Sequence, residues 1–109
     1  MGAVLRRTGR GGQLLTAFGV TLDVSGRSVT QDGNPVELTP REFALLEQLM
    51  RNRGAALYRD VLYERVWGAE LADTRTLDLH IQRLRKKLGW QDGQIETVYR
   101  VGYRLKKEK

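Results

Sequence analysis

The spacing of hydrophobic residues changes at Thr39-Pro40, and this change constrains the fold more than any other feature of the chain. Before it, apolar and polar residues alternate, as in Val20-Thr21-Leu22-Asp23-Val24, which is the period of a strand with one buried face. After it, apolar residues recur three and four positions apart, which is the period of a helix. We therefore predict an α+β domain in which a small antiparallel sheet precedes the helices.

The first part of this domain reads as a meander of about four strands between Leu14 and Leu38. Asp32-Gly33 is typical of a two-residue hairpin turn, and Pro35 suits an edge or the start of a strand. Val36 and Leu38 share one face of the last strand. A strand fragment of residues 55–57 and a strand–turn–strand of 95–99 and 101–105 complete the expected strands, with Gly102 available for a positive φ.

Three helices are predicted. The first begins with Thr39 as N-cap, Pro40 at N1 and Glu42 closing a capping box, and it ends near Asn52. The second covers 59–67, and the third runs from about Thr74 to Leu88, capped by Asp73 or Thr74 and ended by Gly89. The expected apolar side of the second helix consists of Val61, Leu62, Val66 and Trp67.

With 109 residues, the chain fits one domain, which we place at 13–105 between a basic Gly-rich linker (1–12) and a basic tail (106–109). The lack of cysteine excludes disulfides and thiolate metal sites. The sequence shows no membrane segment, so we expect a cytoplasmic location. The net charge is +6, and residues 73–88 and 94–109 carry +3 each. Two basic blocks of this kind favour binding to an anionic partner.

The third helix has a narrow apolar stripe of Leu77, Ile81, Leu84 and Leu88. The opposite face contains Arg75, Leu79, Gln82, Arg83 and Lys86; Thr76, His80 and Lys87 lie on one flank, and Asp78 and Arg85 on the other. Leu79 is anomalous among these polar neighbours. A helix in the major groove explains it, because Leu79 would contact a thymine methyl while Arg83 bonds a guanine edge. Single exposed leucines are also common on ordinary surfaces.

Other functions have less support in the sequence. His80 is the sole histidine and has no cysteine partner, so we expect no metal site and no cofactor. No residue constellation indicates an enzyme. The alternative to nucleic-acid binding is a third helix that faces a protein partner. The two differ in salt dependence, because only phosphate binding weakens steeply with ionic strength.

The chain also resembles the effector domains of OmpR/PhoB-type response regulators. The similarity lies in Leu38-Thr39-Pro40-Arg41-Glu42-Phe43-Ala44-Leu45-Leu46, Val66-Trp67-Gly68, Arg75-Thr76-Leu77-Asp78-Leu79-His80-Ile81, Arg83-Leu84-Arg85-Lys86-Lys87-Leu88, Thr97-Val98 and Gly102-Tyr103-Arg104. The resemblance implies a winged helix-turn-helix with an N-terminal four-stranded antiparallel sheet, three helices and a C-terminal β-hairpin wing. It also implies binding to double-stranded promoter DNA.

By this resemblance, Leu79, Gln82 and Arg83 would read bases. Phosphates would be held by Trp67, Arg75, Thr76, His80, Arg85, Lys86 and Thr97. The loop of Ala69, Glu70, Leu71, Ala72 and Asp73 would touch RNA polymerase. The resemblance further implies direct-repeat half-sites bound in tandem, and a receiver domain and sensor kinase in the full-length protein. The sequence has no heptads and no second exposed apolar stripe, so we expect the free domain to be a monomer. Residues Val4 to Arg7 resemble the end of the receiver's last helix.

The wing departs from the family pattern. Where the family commonly has Thr-Val-Arg-Gly, this chain has Thr97-Val98-Tyr99-Arg100. We expect a hairpin with Tyr99 and Arg100 at its tip. Strand alternation would turn these two side chains to opposite faces, and on that ground we favour a phosphate contact for Arg100 over minor-groove insertion.

Overall fold

The computed structural model describes residues 13–68, 74–91 and 93–107. Its N-terminal part is a four-stranded antiparallel sheet with strands in chain order: β1 (Leu14–Ala17), β2 (Val20–Asp23), β3 (Ser28–Gln31) and β4 (Asn34–Pro35). Asp32 (φ 52°) and Gly33 (φ 87°) form the turn between β3 and β4, as predicted. The last strand is shorter than expected, and Val36 and Leu38 pack against the core from the segment that follows it.

Helix α1 (Pro40–Arg51) begins with the predicted capping box. The Thr39 hydroxyl accepts a hydrogen bond from the backbone N–H of Glu42, and the backbone N–H of Thr39 donates to Glu42 Oε1 at 2.9 Å. These two bonds satisfy donors that the first turn of a helix otherwise leaves unpaired. Asn52 is the C-cap, so both ends of α1 agree with the sequence-based expectation.

Strand β5 (Leu57–Tyr58) leads directly into α2 (Arg59–Trp67), and α3 (Thr74–Leu88) follows. The expected apolar side of α2 is wrong in part, because Leu62 and Tyr63 are its buried residues while Val61 is only half-buried. An apolar pattern does not include Tyr63, because its side chain carries a hydroxyl group. In the structure its ring stacks on that of Trp67, with the centroids 4.9 Å apart. The predicted caps of α3 involve Asp73 and the side chain of Thr74, which are outside the described part of the structure.

The C-terminal hairpin consists of β6 (Ile95–Val98) and β7 (Gly102–Leu105), and β5 pairs with the outer side of β7. The positive φ expected at Gly102 is wrong: it occurs at Arg100 (φ 65°), at the hairpin tip. Gly102 is needed for space instead. A Cβ there would lie 2.1 Å from the carbonyl oxygen of Leu57, so only glycine lets β7 approach β5 so closely.

One core joins the N-terminal sheet, the three helices and the hairpin. At its edge, the Phe18 and Trp90 rings meet edge to face at 5.7 Å, and Gln31 Nε2 donates to the Leu88 carbonyl oxygen at 2.7 Å. The sheet is therefore attached to the C-terminal end of α3. No helix in the described ranges is both long and apolar enough to cross a membrane.

Candidate nucleic-acid interface

The two faces of α3 differ as the sequence predicts. The stripe of Leu77, Ile81, Leu84 and Leu88 is buried in the core. On the opposite face, Leu79 is 51% exposed, and its neighbours Arg75, Gln82, Arg83 and Lys86 are exposed as well. The buried stripe packs α3 against the core, so the opposite face of the helix is turned outward.

Three polar side chains on this outer face are available for a partner. Within the described part of the chain, Gln82, Arg83 and Lys86 make no side-chain hydrogen bond or ion pair. An arginine and a glutamine in this state offer directional donors that match base edges, and Leu79 adds an apolar contact between them.

One flank of α3 packs against an aromatic column. The Trp67 ring stacks on Tyr63 and meets the His80 ring edge to face at 5.0 Å. His80 Nδ1 lies 2.8 Å from the Thr76 carbonyl oxygen, and the Arg41 guanidinium lies 5.5 Å from the centre of the Trp67 ring. The column brings three of the predicted phosphate-binding residues, Trp67, Thr76 and His80, together at the junction of α2 and α3.

The other flank holds Asp78, which the sequence places at the edge of the reading face, where it could orient a neighbouring arginine. Asp78 forms an ion pair with Arg59, the first residue of α2, and accepts a 2.6 Å hydrogen bond from the Tyr103 hydroxyl of β7. Burial of Tyr103, its hydrogen bond to Asp78 and the negative charge of that carboxylate raise the pKa of Tyr103 to about 12. The phenol therefore stays protonated and donates to Asp78 over the ordinary pH range.

Arg85 and Thr97 lie together and contact each other. The Arg85 guanidinium donates to the Ile95 carbonyl oxygen at 2.6 Å and to Thr97 Oγ1 at 3.1 Å, and it lies 5.8 Å from the Tyr103 ring centre. Arg85 thus binds the first strand of the hairpin to α3 within the protein itself.

The hairpin tip has Tyr99 and Arg100 at its end, as predicted. Tyr99 is 81% exposed, and the Arg100 guanidinium lies 5.3 Å from the centre of its ring. The expectation of opposite faces is wrong, because both residues belong to the turn rather than to a strand and Arg100 has a left-handed backbone. Strand alternation does not apply there, and a cation–π contact brings the two side chains together.

An open groove of about 870 Å³ separates α3 from the hairpin. Arginine and lysine side chains lie on its helix side, and Arg104 and Tyr99 lie on its hairpin side. Groups of three or more His, Asp or Glu side chains that could hold a metal ion are absent from the residues that the structure describes. The predicted polymerase-contact loop, Ala69 to Asp73, lies outside those residues, as do residues 1–12 of the predicted linker and Glu108-Lys109 of the tail.

One face of α3 is buried and the opposite face is basic and exposed, and side-chain contacts hold the C-terminal hairpin against this helix. This arrangement defines a winged helix-turn-helix domain. The family model described as "Transcriptional regulatory protein, C terminal" matches residues 33–105. The chain therefore belongs to this family of C-terminal domains of transcriptional regulatory proteins. Its resemblance to the DNA-binding effector domains of OmpR/PhoB-type response regulators is confirmed.

Individual relatives agree with this assignment. The chain is 42% identical over 113 residues to the sensory transduction protein RegX3 of Mycolicibacterium smegmatis, covering 94% of this chain and 50% of the relative. It is similar to the DNA-binding domain of CpxR from E. coli, with a TM-score of 0.80 and 28% identity over 89% of this chain and 99% of that one.

The Klebsiella pneumoniae RstA DNA-binding domain, solved in complex with the RstA box, has a TM-score of 0.76 and 30% identity, with coverage of 86% of this chain and 97% of that one. The chain spans about half the length of the RegX3 protein that it matches. The similarity to isolated DNA-binding domains, by contrast, extends over nearly their whole length.

Proposed function

We propose that this domain binds double-stranded promoter DNA in a sequence-specific manner, with α3 in the major groove. The observation that carries the proposal is the exposed row of Leu79, Gln82 and Arg83 on a helix whose opposite face is buried. Arg83 reads a guanine through two hydrogen bonds, Gln82 bonds an adenine edge, and Leu79 contacts a thymine methyl.

The phosphate contacts surround this reading face. Arg75 and Lys86 lie exposed at the two ends of α3. Trp67, Thr76 and His80 meet one strand of the duplex at the junction of α2 and α3, while Arg85 and Thr97 meet the other at the groove before the wing. Contacts of this kind fix the register of the protein and make affinity strongly dependent on salt.

The wing supplies a further contact to the duplex. Arg100 lies at the exposed tip, where its guanidinium is already packed on the Tyr99 ring and loses little freedom on binding. In this proposal, Arg100 binds a phosphate beside the groove that α3 reads.

Membership of the family supports a wider role. The domain binds direct-repeat half-sites as a tandem pair and is a monomer without DNA; residues 69–73 contact RNA polymerase. The full-length protein also contains a receiver domain that is controlled by a sensor kinase. The role is binding and not catalysis, it needs no cofactor, and it takes place in the cytoplasm, where a bacterial promoter lies.

Selection of duplexes from a random pool, followed by fluorescence anisotropy at several salt concentrations, tests this function. We expect tight binding to the selected duplex and a negative slope of several units in log affinity against log salt. Lys106→Ala, which removes an exposed charge at the end of β7 away from the wing tip, serves as a control with a nearly unchanged slope. An affinity that does not change with salt concentration would contradict the proposal and favour a protein partner for α3.

The assembly has its own test. Sedimentation of the free domain is expected to give a monomer, and titration of a duplex with one or two selected half-sites is expected to give one or two bound copies. A stable dimer in the absence of DNA would contradict the proposed tandem mode.

A further inference from the structure

Asp78 lies where three elements meet. It belongs to the second turn of α3, its ion pair reaches the first residue of α2, and its hydrogen bond reaches β7 of the wing. The Tyr103 side of this junction is buried, whereas the Asp78 side chain is about one-third exposed. The junction thus extends from the core to the surface beside the reading face.

Both wing strands are tied to α3 by side chains. Tyr103 ties β7 to Asp78, and Arg85 ties β6 through the Ile95 carbonyl oxygen and the Thr97 hydroxyl. The β5 strand next to β7 leads without a break into Arg59, the other partner of Asp78. The hairpin is consequently held at two points along α3, roughly two helical turns apart.

The negative charge of Asp78 lies where it would weaken the binding of a polyanion. Asp78 lies one helical turn after Arg75 and one turn before Gln82, so its carboxylate is on the edge of the face that meets the duplex. A negative charge there repels phosphates unless it is neutralised. Arg59 neutralises it, and the hydroxyl of Tyr103 occupies its second oxygen.

We propose that Asp78 is a positioning residue that sets the placement of the wing relative to the reading face of α3. The inference rests on the proposed DNA-binding function. It adds that the distance between the bases read by α3 and the phosphates met by the wing depends on the Asp78–Tyr103 hydrogen bond and the Asp78–Arg59 ion pair.

The test uses hydroxyl-radical footprinting on a duplex selected by the wild-type domain. The wild type is expected to protect one patch of backbone around α3 and a second patch beneath the wing. Tyr103→Phe removes one oxygen and keeps the buried ring, so the fold is retained. We expect this variant to keep the α3 patch, to lose the wing patch and to bind about fivefold more weakly.

Two further variants separate positioning from general stability. Asp78→Asn keeps an acceptor for Tyr103 but loses the ion pair, so its wing patch should be weakened rather than lost; Asp78→Ala should lose it. Tyr58→Phe is the matched control, because the exposed Tyr58 hydroxyl has no hydrogen-bond partner among the described residues. Thermal unfolding of each free variant is measured in parallel, and the loss of the wing patch should occur well below its melting temperature.

The outcomes are distinguishable. A wild-type footprint without a wing patch, or wild-type footprints from both Tyr103→Phe and Asp78→Ala, would overturn the inference. Absence of salt-dependent binding by the wild-type domain to any selected duplex would instead contradict the proposed function.

Discussion

Lys87 donates a 2.7 Å hydrogen bond to Glu42 and so joins the last turn of α3 to the first turn of α1. The Glu42 side chain is 1% exposed, and it also accepts from the backbone N–H of Thr39. Burial raises the pKa of this carboxyl, but the hydrogen bonds from Lys87 and Thr39 and the charges of Lys87 and His80 outweigh that effect, so the pKa lies below its ordinary value. Glu42, which closes the capping box of α1, therefore also links α1 to α3.

Glu42→Gln is expected to lower the free energy of unfolding at pH 7 by about 1–3 kcal/mol, because a charged hydrogen bond in the core is weakened. A lowered folded-state pKa means that this stability is present above the unfolded-state pKa and is lost as pH falls through the folded-state pKa. Urea unfolding at pH 7 and at about pH 3 should show the difference between wild type and variant shrinking in acid. Glu37→Gln, at an exposed glutamate, is the control. If Glu42→Gln differs from the wild type by the same free energy of unfolding at both pH values, the prediction is contradicted.

Arg83→Ala should lower affinity for a selected duplex by about 1–3 kcal/mol and affect a random duplex much less, because a base contact carries sequence information. Competition binding with the two duplexes measures this ratio. An equal loss on both would identify Arg83 as a phosphate contact.

Arg75→Ala should behave in the opposite way. Removal of one phosphate contact reduces the magnitude of the slope of log affinity against log salt by about 0.9 and leaves the preference for the selected duplex nearly unchanged. Anisotropy titrations at four salt concentrations, with Lys106→Ala alongside, determine the slope. If the slope equals that of the wild type, Arg75 does not touch the backbone.

The wing tip allows charge and backbone strain to be separated. Arg100 has a φ of 65°, a conformation that glycine adopts at little cost, so Arg100→Gly should be about 1 kcal/mol more stable than Arg100→Ala. Both variants lack the guanidinium. For each of them, the loss of DNA affinity should be the same whether the half-site is flanked by G·C-rich or by A·T-rich sequence. Thermal melts and anisotropy measure the two effects. A loss confined to A·T-rich flanks would show insertion into the minor groove instead.

The Tyr103 hydroxyl should lose its proton at a higher pH than an ordinary tyrosine. Its pKa of about 12 lies above the ordinary phenol value, so the stability that it contributes is present below the unfolded-state pKa and is lost as pH rises through about 12. Absorbance at the tyrosinate band should show a step near this pH that disappears in Tyr103→Phe. If the tyrosine that distinguishes the wild type from the variant instead titrates near the ordinary phenol pKa of 10.0, the Asp78–Tyr103 hydrogen bond is absent in solution.

Much of the fold was predictable because its signals are local. The capping box at Thr39 and Glu42, the Asp32-Gly33 turn and the buried stripe of α3 each depend on residues within a few positions of one another. The exposure of Leu79 follows from the same helical period. Tyr63 was missed because its environment depends on Trp67 and the core, not on the apolar pattern of its own helix.

The sequence by itself determined the three helices, the N-terminal antiparallel meander, the C-terminal hairpin and which face of α3 is exposed, because periodicity and capping act along the chain. The tertiary structure alone decided what Asp78, Arg85 and Gly102 do. Their partners Tyr103, Thr97 and Leu57 are 25, 12 and 45 positions away and meet them only when the wing folds back on α3 and β5. Hydrogen bonds and close backbone contacts require distances of a few ångströms, and residues so distant in sequence reach such distances only through packing of the whole domain.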